Sequence, residues 1–195
     1  MLTSLLFFSA YSYLCGSRTL RREVVGRTRR CEKTDKMNIV LEERVEKARS
    51  LFRQGYNCSQ SVFLAYSDLL GVDRTLAATL SGPLGGGMGR LREVCGAVSG
   101  MSLIAGFLAP CADPTVREAK AATYALVQKF AERFRAENGA IVCRELLGLT
   151  CRKEEPVPAE RTAEYYKKRP CVELVACAAR IVGEHLQRQN EQSNA

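Results

Sequence analysis

The stretch that most constrains this chain is Gly82 to Gly106, which reads GPLGGGMGRLREVCGAVSGMSLIAG. It opens on a run of glycines and continues into a helical pattern that carries Cys95. Glycines have no Cβ, so backbone here can lie against another chain segment or a ligand. The Cys-Gly-Ala at 95–97 leaves the wall beside the sulfur equally thin. A thiol with so much cleared space suits holding something or reacting with it.

The rest of the chain reads as a helical shell around that sulfur. Leu41, Val45, Ala48 and Phe52 share one stripe, with charged residues on the other face. Gly55 ends that helix, and Asn57 caps the next, with Cys58 in its first turn. That helix runs to about Leu70, and Asp73 caps a short one through Leu80. Gly82-Pro83 is a break. A helix from about Leu91 to Leu108 places Cys95, Val98, Ser102 and Ala105 on one stripe, and Gly96 and Gly100 allow a close neighbour. Asp113-Pro114 marks the start of a long helix to Glu137, with a cap followed by proline. Cys143 falls on one or two turns within Ile141–Leu149. Residues 152–159 form a charged, proline-containing loop, and Thr162–Lys168 a helical turn. Pro170 places Cys171 in the first turn of a helix to about Gln187, with Cys171, Val175, Ala178 and Val182 inward. No stretch alternates with the strand period. The expected fold is all-α, a compact single-domain bundle of five or six helices around a glycine-rich turn and a cysteine cluster.

Residues 1–36 differ from this pattern and read as an N-terminal extension, disordered or upstream of the native start at Met37. The apolar segment around Leu5–Phe8 precedes the basic one, the reverse of a secretory signal. The domain is then 37–188, followed by a frayed tail, 189–195. The net charge of +8 suggests nucleic acid at first sight, but +5 of it lies in residues 1–36. The remaining charges alternate in sign as on a solvated helix face, so no nucleic-acid partner is expected. No apolar run is long enough to span a membrane. The expected compartment is the cytoplasm.

Nine cysteines and one histidine set the chemistry. No pair is spaced C-x-x-C, which argues against a zinc ribbon, a thioredoxin motif and c-type haem attachment. An odd count fits poorly with a fully paired extracellular framework. His185 alone excludes most zinc-enzyme and Cys-His schemes, and reads as a partner for the C-terminal helix dipole. Cys58, Cys95, Cys143 and Cys171 lie on four separate elements. Cys58 and Cys171 sit at helix starts, where free N–H groups and the dipole favour thiolate. Taken singly, each could be a small buried hydrophobe; taken together with the glycine turn, they point to a shared site. Gly86, Gly87 and Gly89 would supply backbone amides to it. Glu93 reads as a cofactor ligand, a group behind the ligands or a first-turn acid favoured by the dipole, and Arg90 as a neutraliser of anionic charge or a surface cation. Cys151 could substitute for Cys143. The glycine turn is no phosphate loop, because no Gly-Lys-Ser/Thr follows.

These residues resemble a bacterial family of small redox-active proteins named for its signature C, GCAxxG, C, C. The match runs from Gly55-x-Asn57-Cys58-Ser-Gln-Ser-Val62 through Gly85-Gly-Gly-Met-Gly-Arg90 and Glu93-x-Cys95-Gly-Ala-Val-Ser-Gly100 to Cys143-Arg-Glu-Leu-Leu-Gly148 and Cys171. The four signature cysteines fall on Cys58, Cys95, Cys143 and Cys171. The resemblance implies a redox-active protein that binds an iron–sulfur cluster, in electron transfer or redox sensing with an unknown redox partner protein. Two alternatives stay open. One is a metal-free thiol–disulfide protein with Cys95 as nucleophile; the other is a structural zinc site. Self-association also stays open. A shared site requires the four sulfurs to ring one cavity beside Gly85–Gly89, with Cys95 on its wall.

Overall fold

The computed structural model describes residues 40–150 and 153–194. The extension 1–36 and Cys151 lie outside the described residues. Among the described residues eight helices make up the fold, beside a 3-10 turn at Gly82–Leu84 and a four-residue turn at Gly85–Met88 whose inner backbone is not helical, with no strand beyond an isolated antiparallel bridge, Val94 to Val142. They are α1 (Leu41–Arg53), α2 (Cys58–Tyr66), α3 (Arg74–Ser81), α4 (Gly96–Leu108), α5 (Arg117–Asn138), α6 (Cys143–Leu146), α7 (Ala163–Lys168) and α8 (Cys171–Ser193). Six have eight residues or more, so the all-α bundle expected from the helical periods is what forms.

Two tight helix pairs build the core. α1 packs along α8, and α2 along α4. Both depend on glycines. A Cβ on Gly100 would lie 2.9 Å from the Ser59 carbonyl and from Val62 Cβ, so only glycine lets α4 approach α2 this closely. A Cβ on Gly183 would lie 2.4 Å from Leu41 Cδ1. Phe52, Phe63, Tyr66, Met101, Ile104 and Phe134 are fully buried between the helices. The buried Tyr66 hydroxyl donates to the Ala179 carbonyl at 2.7 Å, which satisfies its one polar atom inside the core. α5 covers α4 and α8 from one side.

At three helix boundaries the structure differs from the sequence reading. Leu91–Val94 is not helical, and α4 begins only at Gly96, with Cys95 as its N-cap. The backbone there pairs with the segment before α6: Cys95 N–H donates to Ile141 O at 2.8 Å and Cys143 N–H to Glu93 O at 2.6 Å. Asp113 does not cap α5, because its carboxylate accepts from the Thr115 backbone and hydroxyl, closing a turn instead. α5 starts three residues beyond Pro114, at Arg117. α8 continues past Gln187 to Ser193, so most of the expected tail is helix. His185 is consequently buried within α8 rather than sitting at its end.

Candidate functional site

The site is built on the N-terminal ends of three helices and on the glycine turn that faces them. Asn57 caps α2 through a complete capping box. Its side chain accepts from Gln60 N–H at 3.0 Å, and Gln60 accepts from Asn57 N–H at 2.9 Å. This fixes Cys58 as the first residue of α2. The Asn57 side chain also donates to Gly82 O at 2.8 Å, which ties the glycine turn to the same helix end. A Cβ on Gly85 would lie 2.3 Å from that Asn57 side chain.

The turn then winds left-handed. Gly86, Gly87 and Gly89 all have positive φ, and so do Met88, Arg90 and Arg92, which carry side chains. Three such residues in five positions store strain of about 1–3 kcal/mol each, a cost concentrated at functional sites. Gly89 N–H to Pro83 O and Glu93 N–H to Gly87 O hold the turn closed. A Cβ on Gly87 would lie 2.7 Å from Cys143 Cβ and 2.8 Å from Glu93 N. The turn therefore forms the wall directly beside Cys143.

A cavity of about 340 Å³ opens here, lined by Cys58, Cys143 and Cys171. Gly82, Gly85, Gly86 and Gly89 form one side of it, and Arg90, Arg92, Arg161 and Arg169 stand around it. Cys95 does not line it, contrary to the sequence expectation. It is 3% exposed and lies behind the wall, because the pairing with Ile141 draws its backbone away as the N-cap of α4. The sulfurs are nonetheless close enough that ionised Cys143 and Cys171 would each disfavour ionisation of Cys95.

The four thiols have unequal acidities. Burial pushes Cys95 up to about 12, partly opposed by the N–H groups of Ala97 and Val98 at the start of α4. Burial also raises Cys143, against the Arg92 guanidinium, whose Nη1 lies 3.6 Å from its sulfur. Cys58 and Cys171 act strongly on each other. The neighbouring Cys171 sulfur, and then burial, push Cys58 well above the ordinary thiol value. The Cys58 thiol lowers Cys171, and Arg169, Arg92 and Arg161 reinforce this against burial. Cys171 is the more acidic of the pair because these cations act on it and it opens α8.

Glu93 sits differently from the reading as a site group or first-turn acid. It is outside α4, and its carboxylate accepts from Arg144 at 2.9 Å, away from the cavity lining. Its backbone serves the site instead: the carbonyl holds Cys143 N–H, and the N–H holds Gly87 O. Arg90 does line the cavity and pairs with Glu154. Cys177 bonds to Glu137 and Asn138, separate from the other sulfurs. Sequence reasoning missed Arg92, Arg161 and Arg169. Arg92 was the findable one, as a second cation between the glycine run and Cys95, but an assumed helix hid its inward direction.

The donor chemistry of four thiols suits iron–sulfur or zinc. The arrangement is less suited: among the described residues, no group of three or more Cys, His, Asp or Glu side chains is placed to hold a metal ion. No helix among the described residues is long and apolar enough to cross a membrane. Comparison with known proteins finds no similar curated protein and no similar solved structure. A family model described as "Putative redox-active protein (C_GCAxxG_C_C)" matches residues 56–185, from the residue before the α2 cap to the buried part of α8. The chain belongs to the C_GCAxxG_C_C family of redox-active proteins.

Proposed function

We propose that this protein is a thiol–disulfide redox centre in which Cys171 is the attacking thiolate and Cys58 the resolving thiol. The observation that carries this reading is the placement of Cys58 and Cys171, each on the first residue of its helix and both on the cavity wall, where each sulfur is a leading influence on the acidity of the other. A disulfide between them, with an S–S bond of roughly 2.05 Å, is the product of their oxidation. The Cys171 thiolate attacks one sulfur of an oxidised disulfide substrate, and the substrate's other half leaves as thiolate. The Cys58 proton passes to solvent or to that leaving group. Cys58 sulfur then attacks Cys171 sulfur and releases the second half. Two electrons pass to the substrate, and the pair ends as a disulfide. Cys95, assigned the nucleophile's role from the sequence, is the least suited of the four, since burial holds it protonated.

An iron–sulfur cluster, or zinc, on Cys58, Cys95, Cys143 and Cys171 is the second reading. The mutual electrostatic influence of all four sulfurs favours it, as does the Arg92 donor beside Cys143, since such donors tune cluster potentials. It ranks second because the sulfurs would have to draw together first.

Purification of the full chain without oxygen separates the two. The thiol reading expects colourless protein without bound iron or zinc, which loses two thiols reversibly in a disulfide redox buffer. Brown protein with acid-labile sulfide, even after a reconstitution attempt, would hand the site to the cluster reading.

A further inference from the structure

The charge around the cavity exceeds what two sulfurs need. Four arginines line it, and among the described residues no acidic side chain does. Arg90 and Arg92 both pair with the single carboxylate of Glu154, while Arg169 reaches the same carboxylate only at 4.0 Å. Arg161 has no carboxylate partner among the described residues. Its Nη1 donates to the Phe52 carbonyl at 2.6 Å, and its guanidinium lies 4.3 Å from the Phe52 ring centre and 5.7 Å from that of Tyr165. Arg169 likewise lies 5.1 Å from the Tyr165 ring centre. Arg92 is 3% exposed, and its Nε is buried with no hydrogen-bond partner. A cavity walled by four guanidiniums that share one carboxylate suits an anion. Arg161 and Arg169 both lie over aromatic rings, and the planar fork of a guanidinium recognises planar carboxylates.

We propose that this cavity binds a small disulfide that carries carboxylate groups, with Arg161 and Arg169 recognising the carboxylate while a substrate sulfur meets Cys171. This rests on the thiol–disulfide reading above. The volume, about 340 Å³, is at the lower end for small-molecule sites and admits one compact organic molecule. Phe52, Tyr165, Pro156 and Pro158 supply apolar wall for its carbon skeleton. The electron balance is that of the exchange already described: the bound disulfide is reduced to two thiols, and Cys58 and Cys171 are oxidised to one disulfide.

The test uses the reduced full chain and two disulfide probes. Dithionitrobenzoate carries a carboxylate on each ring, and dithiodipyridine is uncharged. Each rate is divided by the rate of the same probe with mercaptoethanol, which removes intrinsic reactivity. The expected ratio of normalised rates favours the carboxylated probe by about tenfold or more, by the strength of a charge-assisted hydrogen bond. The ratio should collapse in Arg161→Gln and in Arg169→Gln, either of which suffices if the other fails to fold. It should survive in Arg144→Gln, whose side chain pairs with Glu93 outside the cavity. A ratio near one that neither variant alters, with Cys171 reactive, overturns the substrate class and leaves the thiol centre standing. The natural disulfide would then belong to a partner protein. If neither probe reacts, the thiol centre itself fails and this proposal falls with it.

Discussion

Cys58 and Cys171 both open helices, yet only Cys171 is lowered, because the Cys58 thiol and then the arginines act on it. Alkylation at neutral pH should therefore fall first on Cys171, and Cys171→Ser should remove the fast phase. In Cys58→Ala the lost thiol no longer lowers the Cys171 pKa, so the pH midpoint of its alkylation should move upward. An unchanged midpoint would show that Cys58 does not act on Cys171. His185 makes a second prediction at this scale. It packs edge-on against Phe130 at 5.2 Å between centroids, and its Nε2 is buried without a partner. Burial, followed by Lys129 and Arg188, lowers its pKa below 6.5. The unfolded chain then takes up the proton more readily, so stability is full above about 6.5 and declines as pH falls below it. His185→Phe should flatten that decline in denaturant melts collected between pH 7 and 5. A decline of equal depth in the variant would assign it to groups other than His185.

The elements show what was legible and what was not. The starts of α2 and α8 could be read from the sequence because Asn57 and Pro170 act within one turn of the cysteines they position. The start of α4 could not. Leu91, Val94, Cys95 and Val98 have helical spacing, but Val94 and Cys95 pair instead with a segment almost 50 residues later. Local periodicity carries no information about such a partner. Nor does it announce left-handed backbone at Met88, Arg90 and Arg92, where side chains tolerate a conformation usually left to glycine. The glycines themselves were readable, and substitution separates their two uses. Gly55 has φ +105 with nothing within 4 Å of an added Cβ. Gly55→Ala should cost about 1 kcal/mol, for backbone conformation alone. Gly87 has φ +69 and meets Cys143 Cβ and backbone below 3 Å. Gly87→Ala should cost about 3 kcal/mol and disturb Cys143 as well. Equal costs in urea melts would mean that the turn is not pressed against the site.

On the scale of the whole molecule, the four signature cysteines come from elements spread across the chain, and the bundle brings three to one cavity with the fourth buried behind. The helical class followed from the apolar stripes. The division of the sulfurs into a mutually influencing pair and two neighbours depends on Arg92 and Arg161 from distant segments as well as on Arg169 beside Cys171, and so did not. A Cys58–Cys171 disulfide would join positions 113 apart. Chain entropy then predicts that oxidised protein resists unfolding more than reduced protein, by up to about 4 kcal/mol. Oxidised protein no more stable than reduced would mean that the bond forms elsewhere or strains the helices. The most direct measurement is peptide mapping by mass spectrometry of the full chain, alkylated after equilibration in oxidising and reducing disulfide buffers. The account predicts one reversible loss of two hydrogens, in a linked peptide that contains Cys58 and Cys171, with Cys95 and Cys143 alkylated as thiols once unfolded. A linkage through Cys95 instead, or no linkage with all four sulfurs held by metal, would contradict it.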